Sequence, residues 1–134
     1  MENDVIRVGV GVIILKDGKV LLGKHNDGEW RLPGGKMELG EEFEQTAKRK
    51  IFEETGLNLN RIKIICANND KLKNGHWVSI GALSEDFSEE PIGKEPDKVS
   101  AWEWFKIENP PFPVFLPSAK ILMNYRKGTF YFTG

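Results

Sequence analysis

A chain of 134 residues, 40% hydrophobic and 29% charged, has the length and composition of one folded domain, residues 1–134, with its own core. Its one cysteine, Cys66, excludes an internal disulfide and fits a reducing, cytoplasmic setting. No apolar run approaches the roughly 20 residues that cross a bilayer, so no membrane association is expected. A net charge of −1 speaks against a nucleic-acid-binding surface.

Met1 to Asp4 carries two acids and lacks the basic-then-apolar layout of a signal peptide. The β-branched run from Val5 to Leu15 predicts a strand. Asp17-Gly18 signals a hairpin, and Val20 to Gly23 is the returning strand. Glu29 to Leu32 reads as a short strand halted by Pro33-Gly34-Gly35. Glu41 to Thr55 is the clearest helix, with Gly56 placed to cap its end. Leu59 to Ala67 reads as a strand, Asn68 to Gly75 as turn-rich, and His76 to Leu83 as a further strand. Ser84 to Pro96 reads as an acidic loop, and Val99 to Lys106 as a strand in which Trp102 and Trp104, like Trp77 before them, serve packing. Pro117 suits the first turn of a final helix that runs to about Lys127, with Gly128 beyond. Strands on both sides of one long internal helix imply a mixed sheet covered by helices.

The helix holds the most telling pattern. Phe43, Ala47 and Ile51 recur every four residues and form a core stripe. Lys50 and Glu54 project into that same sector, with Glu53 on its shoulder. Charges beside a core stripe are costly to desolvate unless paired or bound to a cation. Glu53 and Glu54 are therefore candidate metal ligands. The competing reading is a pair of helix salt bridges, Arg49 to Glu53 and Lys50 to Glu54, each worth a few tenths of a kcal/mol. Gly34 and Gly35 place flexible backbone just ahead of the helix, where a phosphate or metal can approach closely.

Together, Gly35, Glu41, Arg49, Ile51, Glu53, Glu54, Gly56 and Leu57 resemble the Nudix box, G-x5-E-x7-R-E-U-x-E-E-x-G-U with U aliphatic. Leu32-Pro33-Gly34 and Glu38 to Glu41 are similar to its flanks, and the likeness covers roughly Val5 to Pro111. The resemblance implies the Nudix fold, an α/β/α sandwich around a mixed β-sheet. It also implies metal-dependent hydrolysis of a nucleoside triphosphate to monophosphate and pyrophosphate. The metal would be Mg²⁺ or Mn²⁺, on Glu53, Glu54 and the Gly35 carbonyl, with Glu41 bound indirectly or supporting the helix start. Arg49 would orient the glutamates. A small-molecule nucleotide would be met by Gly34, Glu38, Asp97 and Trp30, the last by stacking on the base, unless Trp30 is a core aromatic. Glu95, Asp97 and Glu103 lie where a further carboxylate is expected. A homodimer is compatible with the fold, although no sequence feature builds one.

Two alternatives remain open. ADP-ribose or another nucleoside diphosphate sugar is the second substrate class; only four residues before Val5 tilt the reading toward triphosphates. The other alternative comes from Lys50, which stands where the family pattern has glutamate. At about 4 Å and an effective dielectric near 20, each unit-charge interaction is on the order of 4 kcal/mol, enough to lose a metal. Lys50 then weakens one metal position, contacts substrate phosphate as a fixed cation, or leaves a nucleotide-binding protein with little turnover.

Overall fold

The computed structural model describes residues 5–87 and 90–132; Met1 to Asp4 lie outside them. Strand β1 (Ile6–Lys16) forms a hairpin with β2 (Lys19–His25), and two short strands follow, β3 (Trp30–Arg31) and β4 (Gly34–Lys36). Helix α1 (Phe43–Thr55) leads into β5 (Leu59–Leu72), β6 (Gly75–Phe87), β7 (Val99–Lys106) and α2 (Leu116–Lys127). The strands form a mixed sheet in the order β3-β2-β1-β6-β5, with β4 beside β1 and β7 beside β2. The pair β1/β6 is parallel; the other pairs are antiparallel.

The period of two along β1 divides the core between two helices. Val10, Val12 and Ile14 join Ala47, Ile51 and Leu57 on the α1 side. Ile13 joins Leu32, Cys66, Ile121 and Leu122 on the α2 side. The result is an α/β/α sandwich. Among the described residues no helix is long and apolar enough to cross a membrane.

Helix α1 starts two residues later than the sequence pattern predicts. Its end is as expected: Gly56 is left-handed (φ 75°) and its amide donates to the Phe52 carbonyl. Three segments differ from expectation. Gly34 to Lys36 is a strand, because Gly34 and Gly35 pair with Gly11 and Val10 of β1. Gly34 has φ +144°, and a Cβ there would lie 1.9 Å from the Val10 carbonyl oxygen, so only glycine fits. The region expected to be turn-rich is mostly strand, with only Lys73-Asn74 turning. Asn68 and Asp70 face inward and find distant partners: Asn68 Nδ2 donates to Asn124 Oδ1 at 2.7 Å, and Lys120 Nζ lies 2.8 Å from Asp70 Oδ1. Strand β6 likewise runs through Ser84 to Phe87, expected as loop.

The Asp70–Lys120 pair fastens α2 to β5, with the Asp70 side chain wholly buried. Removing one partner of a buried pair strands the other charge. Asp70→Ala is expected to lower stability by about 2–4 kcal/mol in urea unfolding; a loss under about 1 kcal/mol would show the pair to be dispensable.

Candidate active site

The site forms where α1 passes under the Gly34-Gly35 strand. Glu54 lies on the buried face of α1, as the helical wheel predicts, and is 7% exposed. Its Oε1 accepts a hydrogen bond from the Gly34 amide at 2.8 Å. Burial pushes the Glu54 carboxyl up to about 7. The Gly34 N–H and the nearby Lys50 charge oppose that rise, and the Glu95 and Glu53 charges add to it.

Glu95 reaches this position because the loop after β6 caps α1. The last carbonyls of a helix lack intrahelical partners; here the Lys94 amide donates to the Glu54 carbonyl at 3.1 Å and the Ile92 amide to that of Thr55 at 2.7 Å. Lys94 Nζ also sits 4.1 Å from the centre of the Phe52 ring. These contacts bring Glu95 close enough to load the Glu54 carboxylate with like charge. Of the three further carboxylates expected, Glu95 is the one whose field acts on Glu54. Asp97 is exposed, its carbonyl accepting from Asn26, and Glu103 is exposed on β7.

Arg49 braces the front of the site. Its Nε lies 2.7 Å and its Nη2 3.0 Å from the two Glu41 oxygens, a bidentate pair. Nη2 also donates to the Lys36 carbonyl at 3.1 Å, and Nη1 stands 3.4 Å from Glu53 Oε2. Glu41 further accepts from the Glu38 amide and the Thr46 hydroxyl. Arg49 holds its carboxyl down to about 2. With both oxygens so engaged, Glu41 ties the Gly-Gly strand's exit to α1. Glu38 contributes its amide to Glu41 and is otherwise exposed.

A cavity of about 230 Å³ opens beside Glu54. Its floor is Gly9 and Gly11 of β1, which carry no side chains. Gly34, Gly35 and Glu54 close one end, and Trp77, Ser79 and Asn74 come from the β5–β6 hairpin. Phe115 and Ser118 from the start of α2 also line it, and so do His25 and Arg31. Arg31 stacks on Phe115 at 4.1 Å, and its Nε is buried with no hydrogen-bond partner among the described residues. Burial, then the adjacent Arg31 charge, lowers the His25 pKa against a smaller opposing pull from Asp27.

The aromatic residues differ from the sequence reading. Trp30, the stacking candidate, is packed in the core with its ring edge-on to Phe105, centroids 4.9 Å apart, and does not line the cavity. Trp77, expected to serve packing, does line it. Trp102 and Trp104 pack against the α1-side core as expected. Phe115, Asn74 and Ser79 were missed, for they come from separate segments with no shared spacing. The glycines at 9 and 11, alternating on one strand face, were the available signal.

The NUDIX domain model matches residues 5–125, and the chain belongs to that family. It is similar to a MutT NUDIX hydrolase crystal structure from Burkholderia pseudomallei, 36% identical with TM-score 0.83, covering 89% of this chain and 97% of that one. It is 32% identical to the ADP-ribose pyrophosphatase of Methanocaldococcus jannaschii over 90% of this chain and 73% of that protein. It is 31% identical to the oxidized purine nucleoside triphosphate hydrolase of Danio rerio over 75% of this chain and 67% of that protein. The chain spans only about half (47%) of another relative, the NAD-capped RNA hydrolase NudC of Actinobacillus succinogenes.

The raised Glu54 carboxyl has a thermodynamic consequence. Its folded pKa of about 7 lies above the ordinary 4.5, so the folded state holds the proton more tightly. Stability from this group therefore falls as pH rises from about 4.5 to 7. In chelator, Glu54→Gln should melt at least about 3 °C higher than wild type at pH 8 and close to it at pH 4.5. Parallel melting curves against pH would contradict the assignment.

Proposed function

We propose that this Nudix hydrolase cleaves a nucleoside triphosphate to the monophosphate and pyrophosphate. The observation that carries this reading is the junction of the cavity with Glu54: an aromatic-walled space large enough for one base ends at the Glu54 carboxylate and the Gly-Gly backbone. Trp77 offers a face for the base, and Phe115, already stacked on Arg31, closes the wall beside it. The phosphate chain then runs toward Gly34, Gly35 and Glu54.

Among the described residues no group of three or more His, Cys, Asp or Glu is gathered tightly enough to hold an ion, yet the donor chemistry fits a divalent cation. Glu53, Glu54 and the Gly35 carbonyl are hard oxygen donors of the kind Mg²⁺ or Mn²⁺ takes, and the buried Glu54 charge calls for a counter-cation. Such an ion supplies positive charge that activates water and neutralises charge developing on phosphate oxygens. The protein's own share is distinct. The Gly34 N–H aims Glu54, Arg49 holds Glu53 in place, and Glu95 takes the proton from the attacking water.

A second reading, hydrolysis of a nucleoside diphosphate sugar, is favoured by the likeness to the M. jannaschii ADP-ribose pyrophosphatase. Both readings are tested by incubating the protein with Mg²⁺ and a panel of NTPs, dNTPs and ADP-ribose and separating the products. Monophosphate with pyrophosphate is the expected outcome. AMP with ribose 5-phosphate would install the second reading, and no turnover with any substrate would overturn both.

The residue roles give separable effects. Glu54→Gln should lower kcat by at least about 10²-fold. Glu95→Gln should lower kcat by about 10²-fold with little change in KM. Trp77→Ala should raise KM about tenfold with little change in kcat. An unchanged KM in Trp77→Ala would remove the base from this cavity.

A further inference from the structure

We infer that the Lys50 ammonium stands in for one divalent cation at this site, so that the chain binds a single metal ion where a carboxylate at position 50 would bring in a second. The inference rests on the metal role proposed for Glu53 and Glu54. Its basis is where the lysine lies. An ideal Cβ on Gly35 would fall 2.5 Å from Lys50 Cε and 3.3 Å from its Nζ, so the side chain lies directly across the Gly35 backbone. Its Nζ is 3.4 Å from Glu53 Oε1, and the side chain is only 19% exposed. The same charge acts on Glu54. Lys50 thus lies over Gly35 and against Glu53, with its charge acting on Glu54.

An ordinary helix salt bridge would be spaced alike in sequence but would point to solvent. This one turns inward and lies against the Gly35 backbone, where the missing Cβ leaves it room. Charge counting gives the consequence. Glu95 has its own partner in Lys98, 3.8 Å away, so Glu53 and Glu54 against one ammonium leave one negative charge, which a single divalent ion covers. A glutamate at position 50 would leave three, more than one divalent ion neutralises. Replacing glutamate by lysine changes the local charge by the charge of one divalent ion. Arg49 does not enter the count, because it is paired with Glu41.

The test is the number of Mn²⁺ ions bound per chain, read from the electron paramagnetic resonance signal of free Mn²⁺ in a titration of intact protein. Wild type should bind one ion tightly and Lys50→Glu two. Lys50→Gln, which removes the charge without adding a ligand, should still bind one, at least tenfold more tightly than wild type. Equal stoichiometry in wild type and Lys50→Glu would overturn the inference. An unchanged affinity in Lys50→Gln would do the same, even if Lys50→Glu failed to fold. Nucleotide turnover is a separate readout. An inactive wild type that binds one Mn²⁺ refutes the proposed function and leaves this inference standing, whereas an active wild type that binds two does the reverse.

Discussion

The contact on which the site depends is the hydrogen bond from the Gly34 amide to the Glu54 carboxylate. A carboxylate this deeply buried is tolerable only with a donor and a nearby cation to receive it. The backbone that supplies the donor can approach only because Gly34 has no Cβ to strike β1. The same approach pairs Gly34-Gly35 with β1 and fixes α1 beneath the strand. Local geometry, sheet register and the position of the buried carboxylate thus share one steric requirement.

Around this contact the structure assembles charge from parts that are distant in sequence. The end of α1 leaves carbonyls that must be satisfied, and the loop amides of Ile92 and Lys94 satisfy them. The outcome is structural, but it also carries Glu95 to Glu54. The Arg49–Glu41 pair works from the other side, tying the strand exit to the helix. The cavity arises in the same economical way, from glycines on β1 under the side chains of Trp77 and Phe115. A capped helix, a braced loop and a floor without side chains are ordinary folding solutions that together shape the candidate site.

Much of this was legible in the sequence because it is local. The four-residue recurrence of Phe43, Ala47 and Ile51 placed Glu54 on the buried face before any coordinates, and the box spacing located the helix and its glycine loop. What was not legible depends on partners far along the chain. Asn68 and Asp70 look like turn residues until Asn124 and Lys120 are seen to receive them. Trp30 and Trp77 cannot be told apart by composition; which one packs and which one lines the cavity is decided by strand register and by the start of α2. Lys50 was visible as a departure from the pattern, but its course over Gly35 was not.

The central claim is that the carboxylates, the Gly-Gly backbone and the aromatic-walled cavity form one binding site. Amide and indole NMR shifts, recorded while a non-hydrolysable triphosphate analogue is titrated in with Mg²⁺, test it most directly. The account predicts that the Gly34 and Gly35 amides and the Trp77 indole N–H move together along one saturating curve, with the Trp104 indole still. Saturable binding that shifts other residues and leaves those three unmoved would contradict it.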